Sequence, residues 1–250
     1  MVVERTLSLA SLPAAFHGLR VLHLSDLHLQ QAFPAAALQP ALALAQTTQP
    51  DLLLLTGDYI YDKESDGPKT LAACAELLAP LARSCSLGAF CIFGNHDFPA
   101  PPADPDRAPW KAAGIQPLLD EVAALQKNGE ALYLVGLRSA ISRPVTPMAV
   151  LAQAPAEGCR IVLWHEPDRA EEVRAAGGSL MLSGHTHGGQ VVLPGIGPLH
   201  LPAQGKRYSA GLFHLGQMPL YVTRGLGVLP PHVRFCCPPE ITLLTLHRSF

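Results

Sequence analysis

Five short apolar runs punctuate the chain, and each ends on a block of polar residues. Residues 21–24 run into Ser25-Asp26-Leu27-His28, residues 52–55 into Thr56-Gly57-Asp58, and residues 89–93 into Gly94-Asn95-His96-Asp97. Residues 161–164 run into His165, and residues 179–182 into Ser183-Gly184-His185-Thr186-His187. A run of four or five Leu, Ile, Val or Phe bounded by Gly or polar residues reads as a buried strand. Between the first three runs the pattern changes period. Residues 35–48 are rich in Ala and Leu, and Leu71, Cys74, Leu77, Leu78 and Leu81 recur at helical spacing, which predicts a helix over 69–83. Strand, helix, strand, helix, strand is the order of a βαβ core. Ligands of open α/β sheets bind beyond the carboxyl ends of the strands, so the five polar blocks are expected at one rim.

The rest of the chain is less regular. Residues 99–109 hold prolines at 99, 101, 102, 105 and 109, which predicts a loop over the site rim rather than a helix or central strand. Residues 115–119 and 131–137 read as strands around Lys127-Asn128-Gly129-Glu130, where Asn-Gly favours a tight turn. Asp168 is placed to cap a short helix running through Ala175, with Glu171 and Glu172 in its first turn. Residues 212–215 and 220–223 flank Gly216-Gln217 as a hairpin, and residues 241–246 alternate as a final strand. Two sheets packed face to face with helices outside accommodate both halves, and no linker or internal repeat divides the 250 residues into more than one domain.

Composition narrows the partners. Hydrophobic residues are 48% and charged residues 15%, the balance of a globular chain, and a net charge of −2 argues against a nucleic-acid binder working through a basic face. None of the six cysteines stands in a Cys-x-x-Cys pair, so they read as reduced thiols packed as small hydrophobes. Residues 1–6 carry an early carboxylate and no apolar core of an export signal, and no run approaches the ~18 apolar residues of a membrane span. A soluble, cytoplasmic protein is expected.

Asp, Asn and His converging at one rim are the donors that paired divalent cations use. In order and spacing the blocks resemble the calcineurin-like metallophosphoesterase superfamily: Asp-x-His, Gly-Asp, Gly-Asn-His-Asp, a lone His, then Gly-His-x-His, spanning Asp26 to His187. The runs Leu24 to His28, His165-Glu166-Pro167-Asp168, Ser183 to Gln190 and Arg224-Gly225-Leu226-Gly227 look most like a bacterial phosphodiesterase branch. Relatives in that branch include enzymes that cleave the pyrophosphate of UDP-diacylglucosamine. The resemblance implies an α/β fold, a four-layer αββα sandwich with two mixed β-sheets. It also implies a first metal on Asp26, His28, Asp58 and His187 and a second on Asp58, Asn95, His165 and His185. Mixed oxygen and nitrogen donors suit manganese first, with iron, zinc, nickel or magnesium as alternatives.

The implied reaction uses a hydroxide shared by the two metals, with His96 as general acid oriented by Asp97 or Asp62. Arg224, in a Gly-flanked loop after a strand, is the candidate phosphate contact outside the metal ligands. Protein phosphatases of the superfamily carry an Arg soon after Gly-Asp; here Tyr59-Ile60-Tyr61-Asp62 follows. That favours diesters, and the apolar segment 98–110 suits a small, lipid-linked or nucleotide-linked phosphodiester, with peripheral contact at the inner membrane as one setting. The fourth block departs from the usual Gly-His in having Trp164 before His165. A metal-binding interaction scaffold without catalysis is the rival on the same fold.

Overall fold

The computed structural model, which describes residues 1–30, 33–61, 67–99 and 103–249, places the apolar runs in two six-stranded sheets. The chain begins β1 (Val2–Leu9), β2 (Leu19–Leu24), α1 (Ala35–Thr47), β3 (Leu52–Leu55), α2 (Gly67–Ser84), β4 (Ala89–Cys91), α3 (Ala108–Ala112) and β5 (Ile115–Pro117). It continues β6 (Glu121–Lys127), β7 (Glu130–Gly136), α4 (Pro147–Leu151), β8 (Cys159–Leu163), α5 (Ala170–Ala175) and β9 (Leu180–Ser183). It ends β10 (Val192–Leu193), β11 (Gly197–Pro198), β12 (Gly211–Leu215), β13 (Met218–Val222) and β14 (Ile241–Arg248). The first sheet has the order β1-β14-β2-β3-β4-β5 and the second β12-β13-β9-β8-β7-β6. Each is mixed, with β2 to β5 parallel in one and β7, β8, β9 and β13 parallel in the other.

Side chains alternate across a strand, and that alternation sorts the apolar runs into layers. Leu52 and Leu54 of β3, Ile161 and Leu163 of β8, and Leu180 and Leu182 of β9 meet in the core between the sheets. Leu53 and Leu55 point the other way, onto Leu38 and Leu42 of α1 and Leu71, Leu78 and Leu81 of α2. Val162 and Met181 point onto Val150 and Leu151 of α4 and Val173 of α5. Three apolar interfaces therefore hold four layers, αββα. They also explain why the central runs are continuous rather than alternating, since both faces are covered.

Three expectations need correction. The partner of β7 is not the strand near residue 115 but β6, across a turn whose central residues Asn128 (φ 51) and Gly129 (φ 79) both take positive φ, as a type I′ turn requires. The residues near 115 form β5, which pairs in parallel with β4 in the other sheet. Within 99–109 the chain enters helix α3 at Ala108, with Pro109 in the first turn, where its missing N–H costs nothing. Trp110 and Phe98, read as part of an apolar rim, are buried in the helix-side core. Among the described residues no helix is long and apolar enough to cross a membrane.

Candidate dimetal site

All five polar blocks follow the carboxyl ends of parallel strands: β2, β3 and β4 in one sheet, β8 and β9 in the other. There the chain gathers two groups of buried side chains that could each hold a metal ion, Asp26 with His28 and His187, and Asp58 with His165 and His185. In-register pairing of β2 and β3 carries on beyond the strands. The Asp26 N–H donates to the Gly57 carbonyl at 2.8 Å and the His28 N–H to the Asp58 carbonyl at 3.1 Å. The His185 N–H donates to both carboxylate oxygens of Asp26 at 3.1 Å, which ties the last block to the first.

Two motif glycines make this approach feasible. A Cβ on Gly94 would lie 2.2 Å from Asp58 Oδ1, and one on Gly184 2.2 Å from Asp26 Oδ2, so any side chain there displaces a carboxylate. Five of the six clustered residues sit in the left-handed region: Asp26 (φ 54), His28 (φ 46), Asp58 (φ 55), His185 (φ 72) and His187 (φ 50). Side chains with a Cβ adopt that region at a cost, and they keep it only where the surroundings enforce it.

Asp58 faces both groups. Its Oδ2 lies 3.1 Å from His165 Nε2 and 3.5 Å from His28 Nε2, and His28 Nε2 is in turn 3.0 Å from His187 Nε2. Backbone carbonyls stand behind the second group. His165 Nδ1 meets the Thr56 carbonyl at 2.6 Å and His185 Nε2 meets the Ala203 carbonyl at 2.7 Å. Each carbonyl fixes the proton on that nitrogen and leaves the other ring nitrogen as a lone pair for a metal. Asn95 Oδ1 is buried without a hydrogen-bond partner, an arrangement that is costly unless something else binds the oxygen. Carboxylate, amide and imidazole donors with spare lone pairs fit two divalent cations.

The electrostatics keep the two carboxyls ionised as anionic donors. Burial alone would raise Asp58 and Asp26, but the imidazoles around them hold both carboxyls below the usual range: His165 foremost for Asp58, His187 and His28 for Asp26. Burial alone would lower His165, yet the Asp58 carboxylate keeps it above its ordinary value. His187 is pushed down to about 3, by burial first and then by His28 and the Arg234 guanidinium.

His96 stands at the edge of this site, half-buried. Its N–H donates to Asp58 Oδ1 at 2.9 Å, and its ring stacks on Tyr61 with Nδ1 3.0 Å from the Tyr61 carbonyl. That carbonyl, rather than Asp97, orients the ring. The Asp97 carboxylate accepts the N–H groups of Asp58 (2.7 Å), Tyr59 (2.8 Å) and Gly94 (2.8 Å), so it pins the second block to the third. Asp62, the other orienting candidate, lies outside the described residues. Arg224 is also displaced from its expected role. Its Nε donates to Glu240 at 2.6 Å, in a buried cluster with Tyr221 and Thr242. Trp164 is core, with its ring N–H on the Arg138 carbonyl. His23 is likewise buried, with Nε2 2.8 Å from the Thr56 hydroxyl.

Several contributors escape sequence reading. Arg234 sits behind His187, with Nη2 3.3 Å from its Nδ1, and donates to the carbonyls of Arg224 and Gly227 at 2.8 and 2.7 Å. It stands alone in a Pro- and Cys-containing stretch, and no local pattern marks it. Glu166 and Asp168 carried a partial signal, since both belong to the fourth block. Glu166 accepts from the Ser139 hydroxyl and the Ala140 N–H, fastening the loop that brings Ile141 to the cavity. Asp168 does not cap α5; it accepts the N–H groups of Lys206 and Arg207, both at 2.9 Å, beside the carbonyl that holds His185.

The profile of the calcineurin-like phosphoesterase family matches residues 19–189, more than half of the chain, and the chain belongs to that family. It is 37% identical over 232 residues to phosphodiesterase YaeI of Escherichia coli (strain K12), with 91% of this chain and 82% of that protein covered. It is 32% identical over 249 residues to the uncharacterised metallophosphoesterase YkuE of Bacillus subtilis (strain 168), with 98% and 85% covered. A more distant relative is the UDP-2,3-diacylglucosamine pyrophosphatase LpxG of Chlamydia trachomatis, 26% identical over 293 residues, with 92% and 84% covered. The protein is thus a metal-dependent phosphoesterase with two candidate metal-binding groups.

Proposed function

We propose that the whole chain acts as one domain that hydrolyses a phosphodiester, with Asp26, His28, Asp58 and His187 holding one divalent ion and Asp58, Asn95, His165 and His185 the other. The observation that carries this reading is Asp58 Oδ2, which stands 3.1 and 3.5 Å from imidazole nitrogens of the two groups. A shared carboxylate offsets the repulsion between two cations about 3.5–4 Å apart. When bound, such ions lower the pKa of water enough to supply hydroxide near neutral pH and neutralise the phosphate oxygens.

The chain's own residues then position and protonate. The Tyr61 carbonyl holds a proton on His96 Nδ1, so Nε2 gives up a proton from the imidazolium, a form that burial disfavours and the Asp58 carboxylate favours. Hydroxide oxygen bonds to phosphorus, and the phosphorus–oxygen bond to the leaving arm breaks with its electron pair on the leaving oxygen. That oxygen takes the His96 proton, and the products are a monoester and an alcohol. Manganese is the first metal to test, because the donors mix oxygen and nitrogen.

A pyrophosphate-linked lipid is the second reading. It is favoured by the name of the Chlamydia relative and by apolar exposure at the cavity mouth, where Leu199 is 60% exposed and Phe235, which bridges to Val191, is 49% exposed. Such a substrate would bring the enzyme to the inner membrane face as a peripheral visitor. The test is turnover of bis(p-nitrophenyl) phosphate and p-nitrophenyl phosphate in Mn²⁺. The diester is expected to be cleaved well above the monoester; preferred monoester turnover overturns the reading, and no turnover of either with metal bound supports the scaffold.

A further inference from the structure

Two cavities share His96. The larger, about 460 Å³, is bordered by Asp58, Asn95, His185 and His187 and is the site itself. The smaller, about 180 Å³, lies against Ile60, Leu71, Ala72, Phe98 and Pro109, with His96 in its wall. The dimetal reading gives no role to the second cavity. A residue that protonates the leaving oxygen must stand beside the leaving arm, so the space on the smaller cavity's side of His96 is where that arm has room.

The carboxylates around this cavity are all engaged. Asp104 pairs with Arg138 at 2.9 Å, Asp106 accepts the Ala108 N–H at the start of α3 at 2.9 Å, and Asp97 is taken up by backbone N–H groups. Among the described residues lining the cavity there is no Lys or Arg to recognise a charge, and the carboxylates disfavour an anion. Apart from His96, the remaining described walls are aliphatic, aromatic and proline carbons. An apolar cavity of about 150 Å³ is known to hold one benzene molecule, so this one has room for a single ring or a short alkyl chain.

We propose that this cavity is the leaving-group subsite, and that it selects phosphodiesters whose departing alcohol is uncharged and carries one aromatic ring or a short alkyl chain. The proposal rests on the diesterase reading above. It excludes a leaving arm that begins with a second phosphate, and so separates a diester substrate from a pyrophosphate.

Two substrate series test it with the Mn²⁺-loaded full chain. In the first, methyl 4-alkylphenyl phosphates carry hydrogen, methyl, ethyl, propyl or butyl on the leaving ring; the released phenols have nearly equal acidity, so only size changes. In the second, p-nitrophenyl n-alkyl phosphates carry the same increments on the retained arm. The expected result is a rise in kcat/KM of roughly threefold per added carbon through ethyl in the first series, levelling beyond it, from ordinary methylene burial. The second series is expected to be flat. Ala72, half-buried on α2 and lining the cavity, allows it to be filled. Ala72→Trp should erase the slope of the first series, and Ala72→Leu serves if the larger side chain unfolds the protein. A first series that is cleaved without a slope, a slope that survives the filling, or a slope confined to the retained arm overturns the subsite and leaves the diesterase reading standing. Failure to cleave bis(p-nitrophenyl) phosphate removes both.

Discussion

The two candidate metal-binding groups contain the same residue types, one carboxylate and two imidazoles, yet their surroundings differ. Behind Asp58, His165 and His185 stand two backbone carbonyls, which take the outer ring protons at 2.6 and 2.7 Å. Behind Asp26, His28 and His187 stands a guanidinium, 3.3 Å from the outer nitrogen of His187. A carbonyl makes an imidazole a stronger ligand; a fixed cation makes it a weaker one and repels the metal as well. Identical donors can therefore make one tight and one labile site, and the difference is carried by atoms that touch neither metal.

The largest test of that comparison is to remove the residue the groups share. Asp58→Ala should lower bound metal from about two ions per chain to one or fewer and cut diester turnover on the order of 10⁴-fold, as loss of a central catalytic group does. Full metal content in this variant would refute the bridge.

Next comes the residue that belongs to neither group. His96→Gln should keep both metals while the rate falls roughly 10²–10⁴-fold for a phenol or alcohol leaving group and far less for p-nitrophenolate. Equal losses for both leaving groups would take proton transfer away from His96.

The asymmetry itself is read by stepwise chelation. The Asp26 group should release its ion first, with an affinity gap of about 10–100-fold, the usual weight of such outer partners. Arg234→Met should narrow the gap and Arg234→Lys, which keeps the charge, should not. Simultaneous release in the unmodified protein would show that the two surroundings are equivalent.

A last test concerns His23, whose Nε2 meets the hydroxyl of Thr56, the same residue whose carbonyl backs His165. Burial pushes His23 down to about 4, against the pull of Glu240 and Asp26. The folded value lies below that of an unfolded His, near 6.5, so the unfolded chain takes up a proton first as pH falls. This contribution is fully present above pH ~6.5, shrinks between ~6.5 and ~4 and levels below, for a total of roughly 3 kcal/mol. Unfolding titrations of His23→Gln should show a shallower stability loss across that window than the unmodified protein; an unchanged slope would remove His23 as a source of acid sensitivity.

The legible parts of the chain are those whose signal is local. β3 is read to the residue because its four leucines are covered on both faces, and β2, β8 and β9 are read to within two residues for the same reason. All six clustered residues lie in motifs at the ends of such strands. β1 and β6 go unread because edge strands with one open face need no apolar run: Glu4, Arg5 and Thr6 are exposed in β1, and a single residue, Leu125, is buried in β6. Asp97 and Arg224 mislead for a different reason. Residue type and motif position say that a charge sits near the site, whereas its work is set by whatever the fold brings to it: N–H groups for Asp97, Glu240 for Arg224.

The left-handed backbone at Asp26, His28, Asp58, His185 and His187 has a consequence on an evolutionary timescale. Each of these positions would be more relaxed as glycine, and as asparagine more readily than as histidine. Mutation alone therefore pushes the lineage away from its own chemistry, because the easiest stabilising replacements are the ones that abolish metal binding. A descendant released from the need for catalysis should drift first at these positions.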